Sequence, residues 1–412
     1  MKIALIADQL CLPSAAKAGE TRPGGSDAYP GDPARRVHSL ARALADRDHQ
    51  VTVYSRKQSA SRRGTDPGPG VAIELMAAGP RRRLSGEALL PYIAVFADQL
   101  ADRWRRDAPD VIHSHFWTSG VAAVAGARGL GIPVAHTFHT LGAGGRPGHR
   151  RDADPGVRVR MEASLARSVQ LVLAGSTEEG AGVGRLTAPV RGAASASVRV
   201  VPPGVDTTMF RPDGPAAPRG TRARLLVVGP PGDQPELVTV LRALTDLPDA
   251  ELVIAGGPAR GRLVRDPGYR ALIRLARELG VADRLACTGT ARQADMPPLM
   301  RSADVLVHLD PGHASSLVPV EAMACGTPVI AVAAGFHPDT VIHENTGFLV
   351  PPGQPALLVR RVRQLLANPM LREGYGIAAA SRARDRFSWE RVSQETLAAY
   401  RAIIGPQVPA VA

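Results

Sequence analysis

The sequence predicts an α/β protein made of two doubly wound, parallel-sheet domains. Three observations lead there. The chain has 412 residues, which is long for one compact core and natural for two. Short apolar, β-branched runs alternate with amphipathic helical patterns through both halves, and such alternation specifies parallel βαβ units. Between the halves lies DTTMFRPDGPAAPRGTR, residues 206–222, with three prolines and two glycines, a composition that reads as a linker. The domains are therefore expected over 1–205 and 223–387. Two Rossmann-like halves of this kind hold ligands in a cleft between facing carboxyl edges.

Residues 2–7, KIALIA, form the first strand. They are too short, and run too soon into Asp8, to serve as a signal peptide. A loop rich in Gly, Pro and small polar residues covers 11–36, a length that is usually functional or disordered. Residues 37–47 place Val37, Leu40, Ala41 and Leu44 on one helical face. Strands follow at 51–54, 110–113, 132–138, 170–174 and 198–201. Helices are expected near 88–106, 119–128, 158–167 and 177–185, with a second Gly- and Arg-rich loop at 142–157.

The second half predicts strands at 224–228, 251–255 and 284–287 with helices at 235–244, 268–279 and 295–301. A buried strand from Val305 to Leu309 then leads through a turn into a helix from Leu317 to Cys325. Gly326 stops that helix before a strand at Pro328 to Val332. Helices near 355–367, 370–386 and 388–404 close the chain. A strand that feeds a helix N-terminus at a parallel sheet's carboxyl edge gathers free N–H groups and the helix dipole, which favours anions.

Composition narrows the partners. Hydrophobic residues make up 44%, and no run spans a bilayer. Cys11, Cys287 and Cys325 are far apart and lack metal-ligand spacing, which fits a reducing, cytoplasmic setting and argues against zinc. The net charge of +12 comes almost wholly from Arg, with Lys only at 2, 17 and 57. Aromatics are 4% of the chain, too few for a base-stacking platform, so nucleic acid is not an expected partner. Trp104 among Arg103, Arg105 and Arg106, and the run Arg81 to Arg83, read as a solvated face or a peripheral membrane contact. No GxGxxG fingerprint is present, which weighs against a nicotinamide enzyme.

The stretch LVPVEAMACGTPVIA, residues 317–331, resembles the donor-binding segment of glycosyltransferase family 4, the retaining, metal-independent transferases of GT-B fold. The resemblance extends over nearly the whole chain. PDVIHSHFWTSG (109–120) and VAHTFHTLG (134–142) are similar to segments of the mycothiol-pathway N-acetylglucosaminyltransferases of actinobacteria. VVPPGVDTTMF (200–210), TGFLVPPGQPALL and FSWERVSQETLAAYRAI continue it. It implies two Rossmann-like domains facing across a cleft, with the helix at 388–404 packing back on the N-terminal domain. It also implies a UDP- or GDP-linked sugar as donor, a hydroxyl acceptor, and no metal or other cofactor. The mycothiol-like phrases suggest a small polyol or amino-sugar acceptor.

By this resemblance His139 lies near the reacting centre and touches the transferred sugar. Glu321 holds the ribose hydroxyls. Ser315, Ser316 and the N–H groups near Leu317 and Val318 cradle phosphate, beside the loop that begins at Gly229. His113, His115, Glu162 and the Gly24–Gly25 pair fall in the cleft or acceptor region. His113 and His115 are equally readable as structural, Glu162 equally as an anchor between its helix and a nearby loop, and Gly31 competes with Gly24–Gly25 for the family's Gly-Gly position. The pattern is broken at three donor positions. VVGPPGDQPELVTVLRAL (227–244) has Pro230 and Pro235 where relatives carry an Arg and a Lys, and His313 replaces the first of two glutamates eight residues apart. Of the arginines that could reach in from elsewhere, Arg146, Arg150, Arg151, Arg260 and Arg262, the last two follow Gly256–Gly257 at the end of a predicted strand and are the best placed to replace them. The alternative implied by these losses is a GT-B homologue that no longer transfers sugar and acts as a partner or ligand-sensing protein.

Overall fold

The computed structural model describes residues 1–8, 28–29, 34–58, 68–84, 86–142, 155–187, 196–232, 234–310 and 317–405. They fall into two compact units. The first comprises Met1–Ala15, Asp32–Gly204 and Trp389–Ala412; the second comprises Ala16–Gly31 and Val205–Ser388. The segment 206–222, expected as a linker, belongs to the second unit. Its backbone is tied there: Arg301 donates to the carbonyls of Arg211 and Pro215, and Arg219 pairs with Asp304. Ala28 and Tyr29, expected with the N-terminal half, also group with the second unit, where they pair with Ala291 and Arg292.

The chain opens with β1 (Lys2–Ile6), and the two-residue β2 (Ala28–Tyr29) belongs to the second unit. The first unit continues through α1 (Ala34–Ala45), β3 (Gln50–Arg56), β4 (Val71–Met76), α2 (Gly86–Leu89), α3 (Ile93–Arg106), β5 (Val111–His115) and α4 (Trp117–Ala127). Then come β6 (Val134–Thr137), α5 (Pro155–Ser168), β7 (Leu171–Ala174), α6 (Thr177–Leu186) and β8 (Ser197–Val200). The sheet order is β4-β3-β1-β5-β6-β7-β8, and every pairing is parallel. Ile3 and Leu5 of β1 join one apolar cluster with Val37 and Leu44 of α1, while Ala4 and Ile6 join another with Leu100 and Ala122. Both faces are covered, as parallel sheets require.

The second unit contains β9 (Ala223–Val228), α7 (Pro235–Ala243), β10 (Ala250–Ala255), α8 (Pro267–Glu278), β11 (Leu285–Gly289), β12 (Ala291–Arg292), α9 (Met296–Ser302) and β13 (Val305–His308). It continues with α10 (Val318–Ala324), β14 (Val329–Val332), α11 (His337–Thr340), β15 (Gly347–Val350), α12 (Pro355–Ala367) and α13 (Pro369–Phe387). Its parallel sheet runs β11-β10-β9-β13-β14-β15, and β12 pairs antiparallel with β2. Proline begins α7, α8, α12 and α13, where its missing N–H would have been unpaired anyway. The α10 stop follows the expected chemistry: Gly326 takes φ +76°, its N–H donates to Met323 O, and Thr327 N–H donates to Ala322 O. That is a Schellman closure.

Five elements, β2, β4, β12, α11 and β15, were not expected from the sequence. β4 is an edge strand with only Val71 and Met76 buried, so its VAIELM run gives a weak alternation signal. β15 and the four-residue α11 are short pieces between longer ones.

The last helix, α14 (Trp389–Ile404), completes the first unit. Tyr400 is fully buried, and its O–H lies 2.6 Å from His113 Nδ1. The direction of that bond follows from the network. Thr137 Oγ1 donates to Leu173 O, so it accepts from His113 Nε2 at 2.9 Å, leaving Nδ1 to accept from Tyr400. Tyr400→Phe should therefore lower unfolding free energy by about 1–2 kcal/mol, the cost of a stranded buried acceptor. Urea denaturation at neutral pH checks this, and an unchanged midpoint would contradict the network.

Candidate active site

Both sheets have the strand order 3-2-1-4-5-6 counted within their unit, with a seventh strand added in the first. Each therefore reverses direction beside its first strand, where ligands of open α/β sheets bind. In the first unit that point lies between β1 and β5. In the second it lies between β9 and β13.

At the first unit's carboxyl edge, His139 follows β6 with φ +65°, and Phe116, between β5 and α4, has φ +70°. Neither is glycine, so each conformation costs on the order of 1–3 kcal/mol and persists only if its surroundings enforce it. Their rings stack at 4.5 Å. Phe116 N–H donates to Thr137 O at 3.0 Å, and Gly120 N–H donates to Phe116 O at 3.0 Å. His139 Nε2 lies 3.1 Å from His115 Nδ1, with the two rings also stacked. Beyond His139 the chain is pinned by an ion pair within α5. Arg158 Nε donates to Glu162 Oε1 at 2.7 Å, and Glu162 Oε2 accepts from Gly142 N at 2.8 Å. Arg158 Nη2 donates to both Thr140 oxygens. Glu162 is fully buried, so of its two readings the structure gives the anchoring one.

His113 takes the form its structural reading, one of the two left open, requires. Both its ring nitrogens are bound inside the protein, to Tyr400 and Thr137. His115 keeps Nε2 without a hydrogen-bond partner although the residue is 3% exposed. Burial pushes His115 down to about 3 and does the same to His136, while His113 and His139 are also lowered, first by burial and then by neighbouring histidines. The imidazoles at this edge are therefore neutral at physiological pH. Gly24, Gly25, Arg146, Arg150 and Arg151 lie outside the described residues.

Sequence reasoning missed several groups here. Asp8, at the end of β1, accepts from Thr118 and Ser119 hydroxyls, each at 2.8 Å, and is 4% exposed. Burial raises its carboxyl, with Ser119, Thr118 and Arg56 pulling back. Phe116 carries no sequence signal for its positive φ. The Arg158–Glu162 spacing of four on a helix was a readable signal.

In the second unit, the loop after β9 packs against the loop after β10. Gly256 (φ +140°) and Gly257 (φ +97°) allow this: a Cβ on the first would sit 2.6 Å from Gly229 O, and one on the second 2.4 Å from Pro231 Cδ. Pro230 continues from Gly229, and Pro235 is the first residue of α7. The positions where the resemblance implies an Arg and a Lys are thus held by prolines, one in a tightly packed turn and one at a helix start. Arg260 and Arg262 follow in the 3-10 turn Arg260–Arg265, both exposed and, among the described residues, without an ion pair.

Across the switch point, Leu317 caps α10, whose first residue is Val318 and whose second, Pro319, has no N–H to offer an anion. Glu321 is 2% exposed on this seven-residue, wholly buried helix. His313, Ser315 and Ser316 lie outside the described residues. His308, at the end of β13, was not anticipated. His337 Nδ1 donates to Ala334 O at 2.9 Å, so its Nε2 accepts from His308 Nδ1, also at 2.9 Å. Among the described residues no three His, Cys, Asp or Glu side chains gather in a way that could hold a metal ion. No helix there is long and apolar enough to cross a membrane.

Two Rossmann-type units, with a histidine turn at one carboxyl edge and a buried glutamate beside the switch point of the other, define a glycosyltransferase of the GT-B class. The chain belongs to glycosyltransferase family 4. Residues 33–209 match the model described as Glycosyltransferase Family 4, and residues 218–382 match that of Glycosyl transferases group 1. It is 32% identical over 414 aligned positions to the D-inositol 3-phosphate glycosyltransferase of Mycobacterium tuberculosis (strain ATCC 25618 / H37Rv), covering 93% of this chain and 81% of that one. Among solved structures, sucrose-phosphate synthase from Thermosynechococcus elongatus superposes with a TM-score of 0.77 at 25% identity, covering 97% of this chain and 98% of that one. Anabaena HepE in complex with UDP superposes with a TM-score of 0.67 at 18% identity, covering 97% and 99%, which speaks to fold.

The buried histidines make a pH prediction. A histidine whose folded pKa is depressed contributes stability that is fully present above its unfolded value and is lost as pH falls through the window down to the folded value. For His115 and His136 that window runs from 6.5 to about 3. Glu179 and Asp8, both raised, act with the opposite sign, but the lowered histidines outnumber them. Urea midpoints should fall from pH 6.5 to 5. In His136→Gln the slope should be shallower by about 1.4 kcal/mol per pH unit, one proton's worth; equal slopes would mean that His136 is not held neutral.

Proposed function

We propose that this enzyme moves a sugar from a UDP- or GDP-linked donor to a hydroxyl of a small polyol, retaining configuration at the anomeric carbon and using no metal. The acceptor class draws on the inositol phosphate in the name of the mycobacterial relative and on the mycothiol-like phrases of the sequence. In this reading the bond from the anomeric carbon to the diphosphate oxygen breaks, and the acceptor oxygen bonds to that carbon on the same face. The acceptor's proton passes to the leaving phosphate, so no side-chain base is required. A cytoplasmic setting, where nucleotide sugars are available, accords with three cysteines that are odd in number and widely spaced in the sequence. A peripheral membrane contact through the exposed arginine runs remains part of the proposal.

The observation that carries the reading is Glu321, kept buried directly after the switch-point loop of the second unit, in the position that holds ribose hydroxyls in the resembling family. His139, neutral and fixed in a left-handed turn, is suited to hydrogen-bond a sugar hydroxyl or the reacting group without bringing charge. The leaving diphosphate still needs positive charge as the bond breaks. Arg260 and Arg262 are our candidates to supply it, from the turn that follows the Gly256–Gly257 contact.

A second reading has its own support. The packed, uncharged Pro230–Pro231 turn is what a homologue that has given up transfer and serves as a partner or ligand-sensing protein would tolerate. Thermal-shift titration with UDP, GDP and their sugar conjugates separates the two. Ligand at about a hundred times its dissociation constant stabilises by roughly 2.7 kcal/mol, and we expect a shift with one nucleotide family, unchanged by EDTA. Arg260→Ala with Arg262→Ala should weaken that ligand by about a hundredfold or more, since two charge-assisted bonds contribute on the order of 1.5–3 kcal/mol each. Unchanged affinity would remove these two arginines from the site, and flat curves with every nucleotide would favour the non-transferring reading.

A further inference from the structure

Side chains of β5 alternate between the two faces of the first sheet. Val111 joins the apolar cluster that includes residues of α1 and α14, and His113 reaches Tyr400 of α14. His115 falls on that same side, its ring 4.1 Å from the His113 ring. It is 3% exposed and makes one side-chain hydrogen bond, between its Nδ1 and His139 Nε2 at 3.1 Å. Its own Nε2 is buried without a partner. The half-buried His139 ring stacks on two neighbours, Phe116 at 4.5 Å and His115 at 5.3 Å, at interplanar angles of 29° and 27°. Among the described residues, nothing is hydrogen-bonded to its other nitrogen, Nδ1.

We propose that His115 is the positioning residue for His139: it donates from Nδ1 to His139 Nε2 and so fixes His139 as the Nδ1–H tautomer. The inference rests on the reading of His139 as a residue that meets the reacting sugar, and it specifies the bond His139 can make there. Two neutral imidazoles that share one hydrogen bond have two arrangements open to them. If His139 donated, His115 would carry its proton on Nε2, and a buried N–H would be left without an acceptor. His113 could not take it, because both its nitrogens are committed to Tyr400 and Thr137. If His115 donates, its Nε2 is a bare lone pair instead. Orphaned N–H groups are rarer in protein interiors than under-satisfied acceptors, so the second arrangement is the one to expect. Neither ring escapes the choice by taking a second proton, since burial holds both below the usual histidine range. His139 then has its lone pair occupied and its proton on Nδ1. It can donate to a hydroxyl or phosphoryl oxygen of a ligand, and it has no free nitrogen with which to remove the acceptor's proton. That accords with a transfer in which the leaving phosphate takes this proton.

The test is long-range proton–nitrogen NMR of full-length protein carrying nitrogen-labelled histidine, at about pH 7.5, where both rings are neutral. The spectrum reads which ring nitrogen bears the proton, and the His139 signals are identified by their loss in His139→Gln. In the wild type His139 should be protonated on Nδ1, in about tenfold or greater excess over the other tautomer. In His115→Phe a ring remains to stack but the donor is gone, so both tautomers should appear and the two nitrogen shifts of His139 should converge. In His115→Asn the side-chain amide stands close to where Nδ1 stood and can donate in its place, so the Nδ1–H excess should be restored. His139 protonated on Nε2 in the wild type overturns the proposal, and that measurement needs no variant of His115 to fold. Identical His139 spectra in the two His115 variants overturn it as well. No nucleotide or sugar is present, so failure of the transferase reading would show separately, as absent nucleotide binding with the His139 tautomer as stated.

Discussion

Two parallel sheets buried on both faces gather polar side chains at their strand ends, and a polar group buried there costs free energy unless it finds a partner within the protein. The first unit meets this constraint with a network of imidazoles, hydroxyls and carboxyl groups. His113 uses both ring nitrogens, on Tyr400 and Thr137. Asp8 takes two hydroxyls from the start of α4. Such a network fixes direction as well as contact, because each hydroxyl that has donated its proton can only accept from the next group. Through Tyr400 it also makes the last helix of the chain part of the first unit's core.

The second unit meets the same constraint by exclusion. Its first loop has been rebuilt around prolines that rest on glycines: Pro231 against Gly257, and the Pro231 carbonyl against Gly268. A flexible arginine or lysine in that loop would need room to reach a diphosphate, and the present packing of the turn offers a rigid apolar surface instead. Charge has not left the neighbourhood. It appears a few residues later, on Arg260 and Arg262, which are exposed rather than packed. A guanidinium that stays solvated binds phosphate less tightly than one held in place, because ordering it on binding adds an entropic cost of about 1–2 kcal/mol.

Much of this architecture was legible in the sequence, and the reasons are physical. Helices with an apolar face and proline at their first position announced themselves, as did strands apolar on both sides. β4 did not, since an edge strand with few buried residues leaves only a faint alternation. The linker expected at 206–222 failed for a different reason. Proline and glycine mark a chain that cannot form regular structure, but they do not say whether its carbonyls are left to water or bound by arginines such as Arg301. At the site, His139 and His115 were legible from their phrases. Phe116 was not, because a positive φ on an aromatic residue is a product of tertiary packing.

The two strained residues tie these threads together. A left-handed histidine stacked on a left-handed phenylalanine is not something local preference would choose. It persists because Thr137, Gly120, Arg158 and Glu162 each hold part of the surrounding backbone. These restraints come from β6, α4 and α5, which lie apart in the sequence, so tertiary packing and not local preference sets the turn. Strain supported by several restraints does not collapse when one of them is lost; the turn loosens while the fold stays intact.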